Sequence, residues 1–139
     1  MYGEREFRNG PAIAPAIDGL IFAAGVALVR HFSLTDAPAL RRVLAVNVEG
    51  LLLLRDFSRA RGLEQGAAVV FFGSIFAHRE TLGDAAYCAI NGALVVAVCS
   101  LSLEIAGTVI WANVFSSGLV QTAMEAELGG QISDEQLKA

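Results

Sequence analysis

Ala67-Ala68-Val69-Val70-Phe71-Phe72, closed by Gly73-Ser74, decides the fold. An unbroken apolar run with Val and Phe on both faces reads as a strand buried on both sides. Such strands belong to parallel sheets covered by helices. Ile17 to Ala24 (IDGLIFAA) and Thr108 to Phe115 (TVIWANVF) have the same character, bounded by Gly or polar residues. Two long helical patterns lie between these runs. The first begins near Thr35 or Asp36, either of which can cap it, with Pro38 tolerated in the first turn. It runs to about Arg61, where Gly62 can stop it. The second begins near Asp84 and runs to about Ala106, with Gly107 as the stop. Strand, helix, strand, helix, strand is the signature of a parallel α/β sheet.

Handedness constrains this layout. Crossovers between adjacent parallel strands are right-handed, so strands in sequential order put both helices on one face. The other face is also apolar and has no helix from this core to cover it. The helices raise the same problem. Leu51 to Leu54 is a run of leucines, and the stretch from Ala85 to Leu103 carries no charge. A monomer would expose these surfaces, which soluble monomers rarely do. The expectation is a dimer joined through helices 36–61 and 84–106.

Composition agrees: the 139 residues are 55% hydrophobic and 17% charged, with a net charge of -4. That length suits a single domain, with a core over 17–125 and a loose polar tail over 126–139. Arginines are scattered among acidic residues and Lys138 is the lone lysine, so no basic stripe points to nucleic acid. Cys88 and Cys99 fall on one helix, roughly 16 Å apart, too far for a disulfide. His31 and His78 are isolated loop-end residues, and no metal-ligand spacing occurs. The charged N-terminus has no apolar run of the signal-peptide kind behind it, so a cytoplasmic location is the expectation. Ala85 to Leu103 meets the length criterion for a membrane span. Its Tyr87, Asn91, Gly92, Ser100 and Ser102, and its place between two strands, favour a helix buried on both sides instead.

Ser74, Tyr87 and Asn91 are the candidate site. Tyr87 and Asn91 are four apart and share a helix face. Ser74, at the end of the preceding strand, could point at the same spot. Singly, each residue has an ordinary structural explanation: a core aromatic, a strand-end turn, a helix amide.

In order along the chain, more pieces accumulate. Asp18-Gly19-Leu20-Ile21-Phe22-Ala23-Ala24-Gly25, Asn47 within Val46-Asn47-Val48, Gly73-Ser74, Tyr87 thirteen residues later, and Asn113-Val114-Phe115-Ser116-Ser117-Gly118-Leu119-Val120-Gln121-Thr122 follow one another nearly without gaps. This series resembles the C-terminal half of the short-chain dehydrogenases/reductases. The resemblance implies a partial Rossmann-like fold, with about three parallel strands and two long helices on one face. It implies descent from enzymes that move a hydride between NAD(P) and a carbonyl or alcohol. It also implies roles: Tyr87 as proton donor, Ser74 as holder of the carbonyl oxygen, Asn47 in a proton relay. Ala24, Gly25, Asn91, Gly118, Val120 and Thr122 would face the cofactor, and no metal is implied.

The departures from the family pattern are concentrated at this site. The family has Lys four residues after the Tyr; this chain has Asn91. A cation about 4 Å from a phenolate is worth several kcal/mol even at a surface-like dielectric, and Asn91 supplies none of it. Phe22-Ala23 replaces paired Asn, and Ser117 replaces Pro. No Gly-x-Gly-x-x-Gly or Thr-Gly-x-x-x-Gly-x-Gly occurs for a pyrophosphate. The expectation is an oxidoreductase-type subunit, inactive or weak alone, pairing with itself or a complete homologue. The alternatives are a residual NAD(P)-dependent reductase of a small carbonyl or acyl compound and a small membrane-associated protein.

Overall fold

The computed structural model describes residues 19–52, 66–80, 82–120 and 122. Three strands form one parallel sheet in the order β1 (Gly19–Phe22), β2 (Ala67–Ser74), β3 (Ile110–Ser117). Leu20, Val69 and Ala112 stand side by side, as do Phe22, Phe71 and Val114. β1 is shorter than the apolar run suggests: Ala23 and Ala24 lie beyond it, and Ile17 and Asp18 lie outside the described residues. β3 sits two residues later than its apolar run, because Thr108 and Val109 belong to the turn that leaves the preceding helix. The Thr108 hydroxyl donates to the Ile105 carbonyl at 2.8 Å and accepts from the Ile110 N–H at 3.1 Å.

Helix α1 (Ala37–Asn47) starts where the sequence places it: the Asp36 carboxylate accepts the Ala39 N–H at 2.7 Å, and Pro38 sits in the first turn. It does not run on as a straight helix. The N–H groups of Val48 and Glu49 both reach the Leu44 carbonyl, at 2.9 and 3.1 Å, and helical geometry resumes only at Gly50. Residues 53–61 and Gly62, the rest of the expected helix, lie outside the described residues. The outer side of α1 is not apolar all round either, since Arg41, Arg42 and Glu49 are exposed. Helix α2 (Ala85–Glu104) buries a stripe of Ala86, Ile90, Asn91, Leu94 and Val98, the spacing of one helical face.

Both helices contact each other, and α2 also lies on β2 and β3. Under α2, Val69, Phe71, Leu94, Val98 and Ala112 form one apolar cluster. Leu28, Val43, Ala86 and Ile90 form a second between α1, α2 and the segment after β1. Among the described residues no helix covers the opposite sheet face, in line with the handedness argument. Trp111 is 72% exposed there, with Ile21, Phe72 and Phe115 around it. The Phe72 and Phe115 rings pair at 5.4 Å between centroids.

α2 is long and apolar enough to cross a membrane, by length and composition. Its buried stripe packs on the sheet.

Candidate functional site

The parallel sheet points the carboxyl ends of all its strands in one direction, and the candidate residues gather there. Ser74 ends β2 and caps a one-turn helix at Ile75–Ala77, its hydroxyl accepting the Phe76 N–H at 3.3 Å. Beside it Ser117 ends β3 and donates to the Gly73 carbonyl at 3.2 Å. Ala24 and Gly25 follow β1, while Gly118, Val120 and Thr122 follow β3, all exposed. Tyr87 rises from the first turn of α2 with its ring edge-on to Phe76, 6.0 Å between centroids. The sequence-derived candidates therefore converge on one end of the sheet.

Burial pushes the Tyr87 hydroxyl above the usual tyrosine range. Hydrogen bonding from Asn91 pulls it down, the Asp84 carboxylate pushes it up again, the Ser74 hydroxyl lowers it and Cys88 raises it. Burial wins, so Tyr87 is a neutral phenol. Asn91 is 3% exposed, and its side-chain amide donates to the Tyr87 main-chain carbonyl at 2.9 Å. The residue at the position of a cation thus folds back along its own helix.

Asn47 is the last residue of α1, not a mid-helix one. Its side chain accepts the Val26 N–H at 2.9 Å and donates to the Val26 carbonyl at 3.0 Å. The amide braces the segment that carries Ala24 and Gly25. Asn47→Ala removes both bonds at a buried position and is expected to cost about 1–3 kcal/mol. A thermal melt checks this, with a drop of several degrees the expected outcome.

Sequence reasoning missed two features. His78 Nε2 lies 3.3 Å from the Ser116 hydroxyl, tying the turn after β2 to β3, so this histidine is not isolated. Asp84 looked like a plain helix start. Instead it makes no capping bond, is 4% exposed, and has an Oδ1 with no hydrogen-bond partner. Burial pushes its carboxyl above the usual range. Its spacing of three before Tyr87 was the available clue. Among the described residues no cluster of His, Cys, Asp or Glu could hold a metal ion, and neither Cys88 nor Cys99 is in a disulfide.

The helix N-termini among the described residues do not fit a dinucleotide's pyrophosphate. Such a group sits on a glycine-rich turn at a helix N-terminus. Both α-helix N-termini among the described residues carry carboxylates instead, Asp36 and Asp84, which repel phosphate.

The family model described as Enoyl-(Acyl carrier protein) reductase matches residues 10–139. The chain is 35% identical over 130 residues to the inactive 2-(S)-hydroxypropyl-CoM dehydrogenase 2 of Xanthobacter autotrophicus, covering 92% of this chain and 56% of that protein. It is 29% identical over 127 residues to the 3-oxoacyl-[acyl-carrier-protein] reductase of Rattus norvegicus, covering 91% and 52%. A short-chain dehydrogenase from Burkholderia cenocepacia, solved in complex with NADP, superposes with a TM-score of 0.72 at 26% identity, covering 81% of this chain and 48% of that one. The chain spans about half the length of these relatives. A parallel sheet that gathers Ser74 and Tyr87 at its carboxyl end, matched by sequence and by structure, gives one conclusion: this chain belongs to the short-chain dehydrogenase/reductase family.

Proposed function

We propose that this chain is a short-chain dehydrogenase/reductase-type subunit that keeps the carbonyl-facing residues and does not carry out hydride transfer by itself. The observation that carries this is the Asn91 amide. It is bonded to the Tyr87 carbonyl at 2.9 Å, where the family has a cation. The name of the Xanthobacter relative, an inactive dehydrogenase, supports it.

In the family's chemistry a nicotinamide supplies the hydride and the carbonyl oxygen gains negative charge. Ser74 and Tyr87 can offer that oxygen hydrogen bonds from two directions, which orients a ketone or acyl group. A neutral Tyr87 without a neighbouring cation is a weak acid for the proton transfer that follows. The site therefore binds better than it reacts. Nicotinamide fluorescence tests this: NADH and NADPH titrated into the chain are expected to show no saturable enhancement. Saturable binding would favour a residual NAD(P)-dependent reductase.

Pairing is the second element of the proposal. The outer face of α2 carries Ala89, Ala93, Val96, Cys99 and Leu103, with Val96 68% exposed. Small and apolar side chains allow a second helix to approach closely. The chain is expected to pair through this face and the outer side of α1, with a second copy or with a complete homologue. Light scattering should give a dimer that Val96→Glu dissociates; a monomer before substitution would remove homodimerisation from the account.

A further inference from the structure

His78 Nε2 lies 3.3 Å from the Ser116 hydroxyl, a contact between residues 38 apart in the chain. A serine hydroxyl within hydrogen-bond reach of an imidazole is the pairing that makes a weak nucleophile able to attack. The fold holds both partners. Ser116 is the second-last residue of β3, half-buried and in register with Gly73. His78 closes the one-turn helix at Ile75–Ala77, its N–H donating to the Ile75 carbonyl at 2.9 Å. Gly73 keeps space open beside Ser116: a Cβ there would stand 3.1 Å from Val114 Cγ1 and 3.9 Å from Ser116 Oγ. Paired strands lie about 4.8 Å apart, so Ser116 stands beside the end of β2 that carries Ser74. The Ser74 oxygen accepts the Phe76 N–H, which leaves its own proton to donate. A nucleophile, a base and a hydroxyl donor therefore meet at the carboxyl ends of β2 and β3.

We propose that Ser116 and His78 are a nucleophile and its general base, and that they cleave acyl esters and thioesters by acyl transfer to Ser116. With its own proton on Nδ1, His78 takes the Ser116 hydroxyl proton on Nε2 as Oγ bonds to the acyl carbon. The C–O or C–S bond to the leaving group breaks, and the imidazolium protonates the departing alkoxide or thiolate. Water then attacks the Ser116 ester, its proton passing through His78 back to Oγ, and a carboxylic acid leaves. The step is neither an oxidation nor a reduction, so it draws on no hydride. Placing the Ser74 and Tyr87 hydroxyls on the developing oxyanion rests on the carbonyl-facing reading above; the Ser116–His78 pair does not.

The test uses the whole chain with para-nitrophenyl butyrate and with the butyryl thioester of N-acetylcysteamine. Release of nitrophenolate or thiol above the protein-free control is expected, with a butyryl group on Ser116 in acid-quenched samples read by peptide mass spectrometry. Ser116→Ala is expected to abolish both, and His78→Gln to slow acylation by about a hundredfold. Absence of release overturns the proposal, as does a rate that Ser116→Ala leaves unchanged. Acyl groups found only elsewhere, such as at Ser33 in the exposed His31–Ser33 pair, overturn it too. Should Ser116→Ala not fold, the unaltered chain decides alone: an acylated Ser116 supports the proposal, and an unmodified one overturns it. Tyr87→Phe separates the two readings. Acylation of Ser116 undiminished in that variant supports the pair and counts against Tyr87 as the carbonyl's donor; slowed acylation supports both.

Discussion

Asn91→Lys is expected to raise the phenolate-to-phenol ratio of Tyr87 at a fixed pH, by up to about three powers of ten before the cost of burying the cation. The magnitude follows from Coulomb's law: a cation about 4 Å from the phenolate is worth ~4 kcal/mol at an effective dielectric of about 20. The substitution also removes the Asn91 bond to the Tyr87 carbonyl and puts an ammonium at a position that is 3% exposed. Some of the gain is therefore lost to desolvation, and a lower melting temperature accompanies it. Carbonyl reduction should not appear with the cation. Neither helix N-terminus among the described residues suits a pyrophosphate, so on the proposed reading the repaired proton donor has no hydride to work with. Tyrosinate absorbance and a reductase assay on the same preparation separate the two effects. A phenolate fraction that does not move would mean that residue 91 has no access to the hydroxyl.

Gly50→Ala is expected to destabilise the fold by about 1–3 kcal/mol or more, the range of an overpacked core. A Cβ at residue 50 would overlap the outer edge of the Phe22 ring, at Cζ and both Cε atoms. The Phe22 ring also packs against Phe71, 5.8 Å between centroids. The clash is with a ring held by the sheet, so relief requires the backbone after α1 to shift. Phe22→Leu combined with Gly50→Ala should recover part of the loss. Denaturant melts of the single and double variants measure that coupling, and simple additivity would mean that the ring does not set the approach. The pair also explains a departure at the site. Phe22 stands where the resemblance expects the first of the family's paired Asn, and Gly50 gives its ring room.

The sequence carried the sheet well because strands apolar on both faces leave a plain record, although burial on both sides was not met: among the described residues only the face under α2 is covered. Val69, Val70, Phe71 and Phe72 could be nothing else in that context, and right-handed crossovers then put both helices on one side. Strand ends were less legible. Ala23 and Ala24 are apolar but fall after the last ladder pair of β1, and apolarity does not report pairing. The break in the first helix was hidden because Val46-Asn47-Val48-Glu49 keeps helical periodicity. What interrupts it is a tertiary demand, the Asn47 amide reaching both polar groups of Val26. Ser74, Tyr87 and Asn91 were legible from spacing alone. Asp84 and His78 were not, because their roles depend on burial and on a contact across 38 residues.

The central claim is that this chain presents a carbonyl-facing site without the means to reduce what it binds. Carbonyl-dependent oxidation of NADPH and NADH by the purified chain tests it most directly, read as absorbance loss against a protein-free control across a panel of ketones and acyl thioesters. The account predicts rates equal to the control for every compound. Sustained turnover that scales with the concentration of the chain and disappears in Tyr87→Phe would contradict it.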